Sequence, residues 1–189
     1  MTQDEYLAFE RGSDSRHEYF NGETYAMSGA SGRHNMIVAS LIGLLYAQLR
    51  QRPCRIFPSD MRVKTPAPLL YTYPDITVTC GEPPRYEDVS IDTLLNPSLI
   101  VEVLSPSTEH YDRGMKFECY RSIPSLREYL LVAQDRIHVE HYLRQNTQWV
   151  LTDPGGPDSE LALPSIECSL LLSDIYEQVS FDNPQEGSQ

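Results

Sequence analysis

The run Leu99-Ile100-Val101-Glu102-Val103-Leu104 constrains the fold more than any other segment. Five aliphatic residues of strand length, bounded by Pro97 and by Ser105-Pro106, describe a β-strand covered on both faces. Such a strand belongs in the middle of an α/β domain, where helices supply the cover. Glu102 interrupts the run where valine or isoleucine is expected. A carboxylate buried without compensation costs several kcal/mol, on the order found for buried ions, so it is paired, protonated or bound to metal. A buried ion pair and an edge position facing water are the other two explanations.

The rest of the chain fits around that strand. Glu128 to Ala133 is a second aliphatic run, and the segment from about 110 to 122 between them has helical character. Strand, helix and strand at this spacing predict a parallel crossover. Asn21-Gly22, between aromatic-rich runs, predicts a tight hairpin, because both turn positions of that type need φ > 0. From His34 to about Arg50 the apolar residues Ile37, Val38, Leu41, Ile42, Leu45 and Leu49 form a helical stripe. Cys54 to Lys64 and Tyr71 to Cys80 read as two strands joined by a turn at Pro66 and Pro68, and residues 81–97 as a polar loop or at most a short helix. Arg136 to Leu143 and Gln148 to Thr152 read as a further hairpin. The expected architecture is α/β, a mixed central β-sheet flanked by helices, with an N-terminal β-hairpin. One domain over residues 1–182 is expected, followed by a disordered tail at 183–189.

Two more residues join Glu102. Asp75 follows Pro74 in Tyr-Thr-Tyr-Pro-Asp-Ile-Thr-Val-Thr. Proline removes a ladder hydrogen bond, so the strand is expected to bulge or stop pairing there and to re-aim the carboxylate. A plain Pro-Asp turn explains the same dipeptide. Lys116, Tyr120 and Ile123 fall at i, i+4 and i+7 on one helix face, which turns the lysine toward the strand ends if Ile123 faces the sheet. Otherwise the lysine snorkels to solvent. Two carboxylates from adjacent strands can hold Mg²⁺ or Mn²⁺, and a nearby lysine can position a water or stabilise charge on phosphorus. Glu23, His34, Asp60 and Asp112 are secondary candidates. His34 suits either a general base or a cap partner, and Asp112 suits a salt bridge to Lys116 or a helix cap. Ser105, Ser107 and Thr108 suit helix capping, since no nucleophile elbow surrounds them.

The order Pro74-Asp75, then IVEVLSPST, then Asp112-Arg113-Gly114-Met115-Lys116 and Tyr120 resembles the Uma-type restriction endonucleases of the PD-(D/E)XK superfamily. The N-terminal Asn21-Gly22-Glu23, Ser31-Gly32-Arg33-His34-Asn35 and Pro58-Ser59-Asp60-Met61-Arg62 extend the resemblance to roughly residues 5–178. It implies a restriction-endonuclease-like core, a divalent metal on Asp75 and Glu102, and DNA cleavage. An E-x-K motif would place lysine at position 104, where this chain has Leu104; the resemblance implies that Lys116 supplies the cation instead. The expected protein is a Mg²⁺-dependent endonuclease acting on DNA as a homodimer, without an organic cofactor. A nuclease-fold binding protein without cleavage, and a metal-dependent hydrolase of another phosphoester, are the alternatives.

Bulk properties narrow the setting. The net charge is −12, with 27 acidic residues against 15 basic ones, which argues against sequence-indifferent coating of nucleic acid by a basic face. No apolar run reaches the length of about 18 residues needed to span a bilayer, so no membrane association is expected. The start lacks a secretory signal pattern. A cytoplasmic protein with its four cysteines reduced is the expectation.

Overall fold

The computed structural model describes residues 1–181; the expected tail at 183–189, and the last residue assigned to the domain, lie outside the described residues. The predicted central sheet is six-stranded, in the order β11-β10-β9-β8-β6-β3. Its heart is β8 (Leu99–Val103), the aliphatic run, buried at every position. Parallel β9 (Glu128–Val132) lies on one side of it and antiparallel β6 (Ile76–Cys80) on the other. The sheet is therefore mixed. β3 (Cys54–Pro58) forms one edge, and the hairpin of β10 (Val139–Gln145) and β11 (Gln148–Thr152) forms the other.

The alternation along β8 explains why both faces are apolar. Leu99, Val101 and Val103 pack with Ile37, Leu41, Leu45 and Leu49 of α2 (Gly32–Leu49). Ile100 packs on the opposite face with Tyr120, Ile123 and Tyr129. That face is covered by one continuous helical segment: α3 (Glu109–Tyr111), a π-helical turn (Asp112–Lys116) and α4 (Phe117–Arg121). Leu104, at the position where a motif lysine was absent, is a buried member of the same cluster.

A second, five-stranded sheet runs β2-β1-β5-β4-β7. The Asn-Gly hairpin forms as expected: β1 (His17–Phe20) and β2 (Glu23–Ala26) flank Asn21 at φ 49° and Gly22 at φ 93°. Both values lie in the left-handed region that this turn demands. Here the structure divides two segments that read as single strands. Cys54 to Lys64 breaks after β3 into a turn and then β4 (Arg62–Pro66). Tyr71 to Cys80 breaks at Tyr73-Pro74-Asp75, so β5 (Leu69–Thr72) belongs to one sheet and β6 to the other. The lack of a proline N–H makes that crossing point a natural place to leave a ladder. The supposed loop at 81–97 contains a two-residue strand, β7 (Thr93–Leu94), parallel to β4.

Two regions were not anticipated. Helix α1 (Gln3–Arg11) starts with a full capping box between Thr2 and Glu5 and buries Tyr6 against Tyr19 and Tyr71. β12 (Glu160–Leu163), β13 (Cys168–Leu171) and α5 (Leu172–Ile175) close the core below α2. The cysteine expectation is corrected as well. Cys54 and Cys80 face each other across β3 and β6 and are disulfide-bonded, whereas Cys119 and Cys168 are free and buried. Sequence spacing gave no hint, because cross-strand register rather than proximity along the chain brings the pair together. Among the described residues no helix is long and apolar enough to cross a membrane.

Candidate active site

Asp75 stands immediately before β6. The β6–β8 register pairs Thr77 with Ile100 and Ile76 with Val101, so one further step sets Asp75 opposite Glu102. Opposed residues of an antiparallel pair share a face, with Cβ atoms about 4.5–5.5 Å apart. Both side chains line one cleft of about 630 Å³ at the end of the sheet, together with Glu18, His34, Asp112 and Lys116.

Asp75 is held through a single oxygen. Its Oδ2 accepts the Val103 backbone N–H at 2.7 Å and lies 3.0 Å from His34 Nε2. His34 sits in the first turn of α2 because Ser31 caps that helix, its Oγ accepting the His34 N–H at 3.1 Å. Ser31 in turn donates to Gln134, and Gln134 donates to the Leu104 carbonyl. The cap thus ties the helix start to the end of β8. His34 thus faces Asp75 as well as belonging to the capped first turn of the helix.

Glu102 is also engaged through one oxygen: the Tyr120 hydroxyl donates to Oε1 at 2.7 Å, and Lys116 Nζ lies 2.9 Å from the same atom. The predicted lysine face therefore forms, with Lys116, Tyr120 and Ile123 all buried against the sheet. Lys116 Nζ is also 3.3 Å from Asp112 Oδ1 and 3.4 Å from Glu18 Oε1, and it lies over the Tyr111 ring. Asp112 makes the i, i+4 pair expected of it and is more than a helix salt bridge, because it is buried in the same cluster.

One buried cation among three buried carboxylates leaves an excess of negative charge, and the proton affinities reflect it. Burial pushes the Glu102 carboxyl up to about 8, aided by Asp112 and Asp75 and opposed by Lys116. Burial raises Asp112 too, against the pull of Lys116. For Lys116 burial acts downward, yet Glu102, Glu18, Tyr120 and Asp112 outweigh it and hold the ammonium well above its ordinary range. The lysine is a fixed positive charge.

Sequence reasoning missed Glu18 and chose Glu23 instead. Glu18 is buried on β1; Thr72 donates to its Oε1, and the Tyr111 hydroxyl donates to Oε2 at 3.0 Å. Glu23 is exposed and accepts from Tyr25. Alternation along the chain could not have separated them, since the pairing of Glu18 with Tyr25 and of Phe20 with Glu23 puts both acids on one face of the hairpin; Glu18 is buried because β1 lies between β2 and β5, whereas β2 is the edge strand. Asp60 is likewise corrected: it lies in the exposed turn between β3 and β4, ion-paired to Arg16 and away from the cleft. Ser105 accepts the Thr108 N–H at 3.2 Å, a turn role and not a nucleophile's.

Among the described residues no three His, Cys, Asp or Glu side chains converge as a ready-made metal cage. Magnesium does not require one; it is commonly bound by one or two carboxylates plus waters and substrate phosphate oxygens. Asp75 and Glu102 fit that donor set. Both are hard oxygen ligands on adjacent strands, and each is anchored through one oxygen.

Comparison with known proteins bears on the family and the fold. A family model named Uma2, described as "Putative restriction endonuclease", matches residues 3–173. Two uncharacterized Synechocystis proteins are similar: slr1290 is 37% identical over 182 residues, covering 96% of this chain and 94% of its own. The other, sll1609, is 40% identical over 162 residues, covering 85% and 91%. The crystal structure of a putative nuclease belonging to DUF820 from Anabaena variabilis superposes with a TM-score of 0.76 at 22% identity, over 94% of this chain and 98% of that one.

Proposed function

Because the chain belongs to the Uma2 family of restriction-endonuclease-like proteins, we propose that it is a divalent-metal-dependent endonuclease hydrolysing DNA phosphodiester bonds. The observation that carries the reading is that Asp75 and Glu102 line one cleft, with the Lys116 ammonium 2.9 Å from the second carboxylate. Asp75 and Glu102 would hold magnesium, or manganese in its place, which supplies positive charge to the scissile phosphate and acidifies a bound water. Lys116 supplies a permanent positive charge beside that phosphate, where negative charge accumulates during in-line attack. The three carboxylates around it keep it protonated and fixed in place. His34 and the Val103 N–H hold the Asp75 carboxylate in one orientation, so its free oxygen is aimed before substrate arrives. Cutting both strands of a duplex with one site per chain calls for two copies, so a two-fold homodimer belongs to the proposal.

Plasmid nicking tests it. Supercoiled DNA should be nicked with magnesium or manganese and spared in EDTA, and Asp75→Ala should abolish nicking while leaving the circular dichroism spectrum unchanged. Absence of cleavage with either metal refutes the reading. A second reading, a nuclease-fold protein that binds without cutting, is favoured by the enclosure of Lys116 and the net charge of −12. DNA binding by a protein inert toward plasmid and oligonucleotides would establish it.

A further inference from the structure

We propose that the cleft takes unpaired DNA and that Tyr25 is the surface on which one of its bases stacks. This rests on the metal-dependent cleavage of the proposed function and replaces duplex by unpaired DNA as what the cleft holds, a form that a negatively supercoiled plasmid also offers in its unwound stretches. Two independent observations carry it. The first is the chemistry of one cleft wall. The β1–β2 hairpin contributes Tyr25, Ala26 and Met27 to the same cleft that Asp75 and Glu102 line. Tyr25 is 49% exposed and Met27 37%, so this wall offers an aromatic face and apolar surface within the cleft itself. The ring is not loose: its hydroxyl donates to Glu23 Oε2 at 2.7 Å, within the same strand. Glu23, displaced from the metal site, thereby serves as the tether of an aromatic face. The short, polar-to-small stretch Ser28-Gly29-Ala30-Ser31 continues the wall to the start of α2 and leaves the ring uncovered.

The second observation is the charge of the lining. Six carboxylates line the cleft against three cations, Arg33, Lys116 and Arg136. Lys116 is enclosed by three of those acids, and Arg136 pairs with Asp135 at 3.1 Å. Duplex DNA brings one negative charge for about every 1.7 Å of axis, and a protein that embraces it neutralises many phosphates. This lining cannot do so. A single strand brings fewer charges into the same length and offers the flat face of each base, which an aromatic ring accepts whatever the sequence. Stacking on Tyr25 then supplies the attraction that phosphate contacts do not.

The test is equilibrium binding of a fluorescein-labelled 20-nucleotide strand, and of the duplex of the same sequence, to the full-length protein. Fluorescence anisotropy is read in calcium chloride, with strand integrity checked on a gel. The strand should bind at least tenfold more tightly than the duplex. Tyr25→Ala should weaken binding of the strand by about 5- to 150-fold, the range spanned by loss of one stacked base, and should leave duplex binding unchanged. Tyr25→Phe, which keeps the ring and loses the tether, should retain most of the preference. Equal or tighter duplex binding, or a Tyr25→Ala protein that binds the strand like the wild type, overturns the inference. If plasmid is nicked while either result is found, the nuclease reading stands and only the substrate class falls. If no form of DNA is bound or cut, both fall.

Discussion

Lys116→Met replaces the buried ammonium with an apolar chain of similar length and leaves three carboxylates facing one another. Nζ lies 2.9 Å from Glu102, 3.3 Å from Asp112 and 3.4 Å from Glu18. At an effective dielectric near 20, a unit pair at about 3 Å attracts by roughly 5 kcal/mol before desolvation is deducted. Removing one member of a buried pair costs about 3–5 kcal/mol, because the partner is left charged and unsolvated. Against a total stability of roughly 5–15 kcal/mol, that is about a fifth of the fold or more. The loss should depend on pH with a definite sign. Without the lysine the Glu102 and Asp112 carboxyls favour their protonated forms more strongly, so the loss is smaller at pH 5 than at pH 8.5. Urea unfolding of wild type and variant in EDTA at those two pH values measures the difference. The double variant Lys116→Met/Glu102→Gln should recover part of the loss at pH 8.5. A loss below about 1 kcal/mol at pH 8.5, or one that does not change with pH, would refute the buried-cluster argument.

Three further outcomes are expected. The folded Glu102 carboxyl titrates at about 8 against an ordinary 4.5, so between those values the native state keeps a proton that the unfolded chain has lost. Its contribution to stability therefore declines as pH rises through that window, and Glu102→Gln should gain on the wild type from pH 5 to pH 8 in metal-free urea titrations; a parallel or diverging trend contradicts it. Glu18→Gln should impair nicking and Glu23→Gln should leave it intact, since only Glu18 contacts Lys116; equal effects would show that the Glu18–Lys116 contact has no part in cleavage. Reduction of Cys54–Cys80, whose partners are 26 residues apart, should lower the unfolding free energy by roughly 3 kcal/mol. Four titratable thiols in the unreduced, denatured protein would show that the pair is not formed.

What was legible in the sequence was what depends on local period. The aliphatic runs at 99–104 and 128–133, the α2 stripe and the Asn-Gly turn each signal their structure within a few residues, and the fold class followed from them. Glu102 was legible because a charge in a doubly covered strand needs an explanation. Yet Glu128 shows how far that argument reaches. It too is buried in an aliphatic strand, and there the explanation is the Ser165 N–H at 2.6 Å and His141 at 3.3 Å, with no part in the cleft. An embedded acid marks compensation, and only its neighbours say which kind. The residues that went astray, Glu18 against Glu23 and the paired cysteines, depend on which strands lie side by side. Register across 26 or more positions leaves no periodic trace along the chain.

The helical segment beneath Glu102 carries one residue more than an α-helix needs between Asp112 and Lys116. It is a built-in insertion. Deleting Gly114, whose site has open space around it, would return that turn to ordinary winding and leave the acid and the lysine three residues apart, still neighbours on one helix face. The wide turn absorbs the extra residue locally, so the helix before it and the helix after it need not change their faces. The cleft can thus lose one peptide unit here and keep its named side chains together, which makes this turn the place where the chain tolerates a change of length.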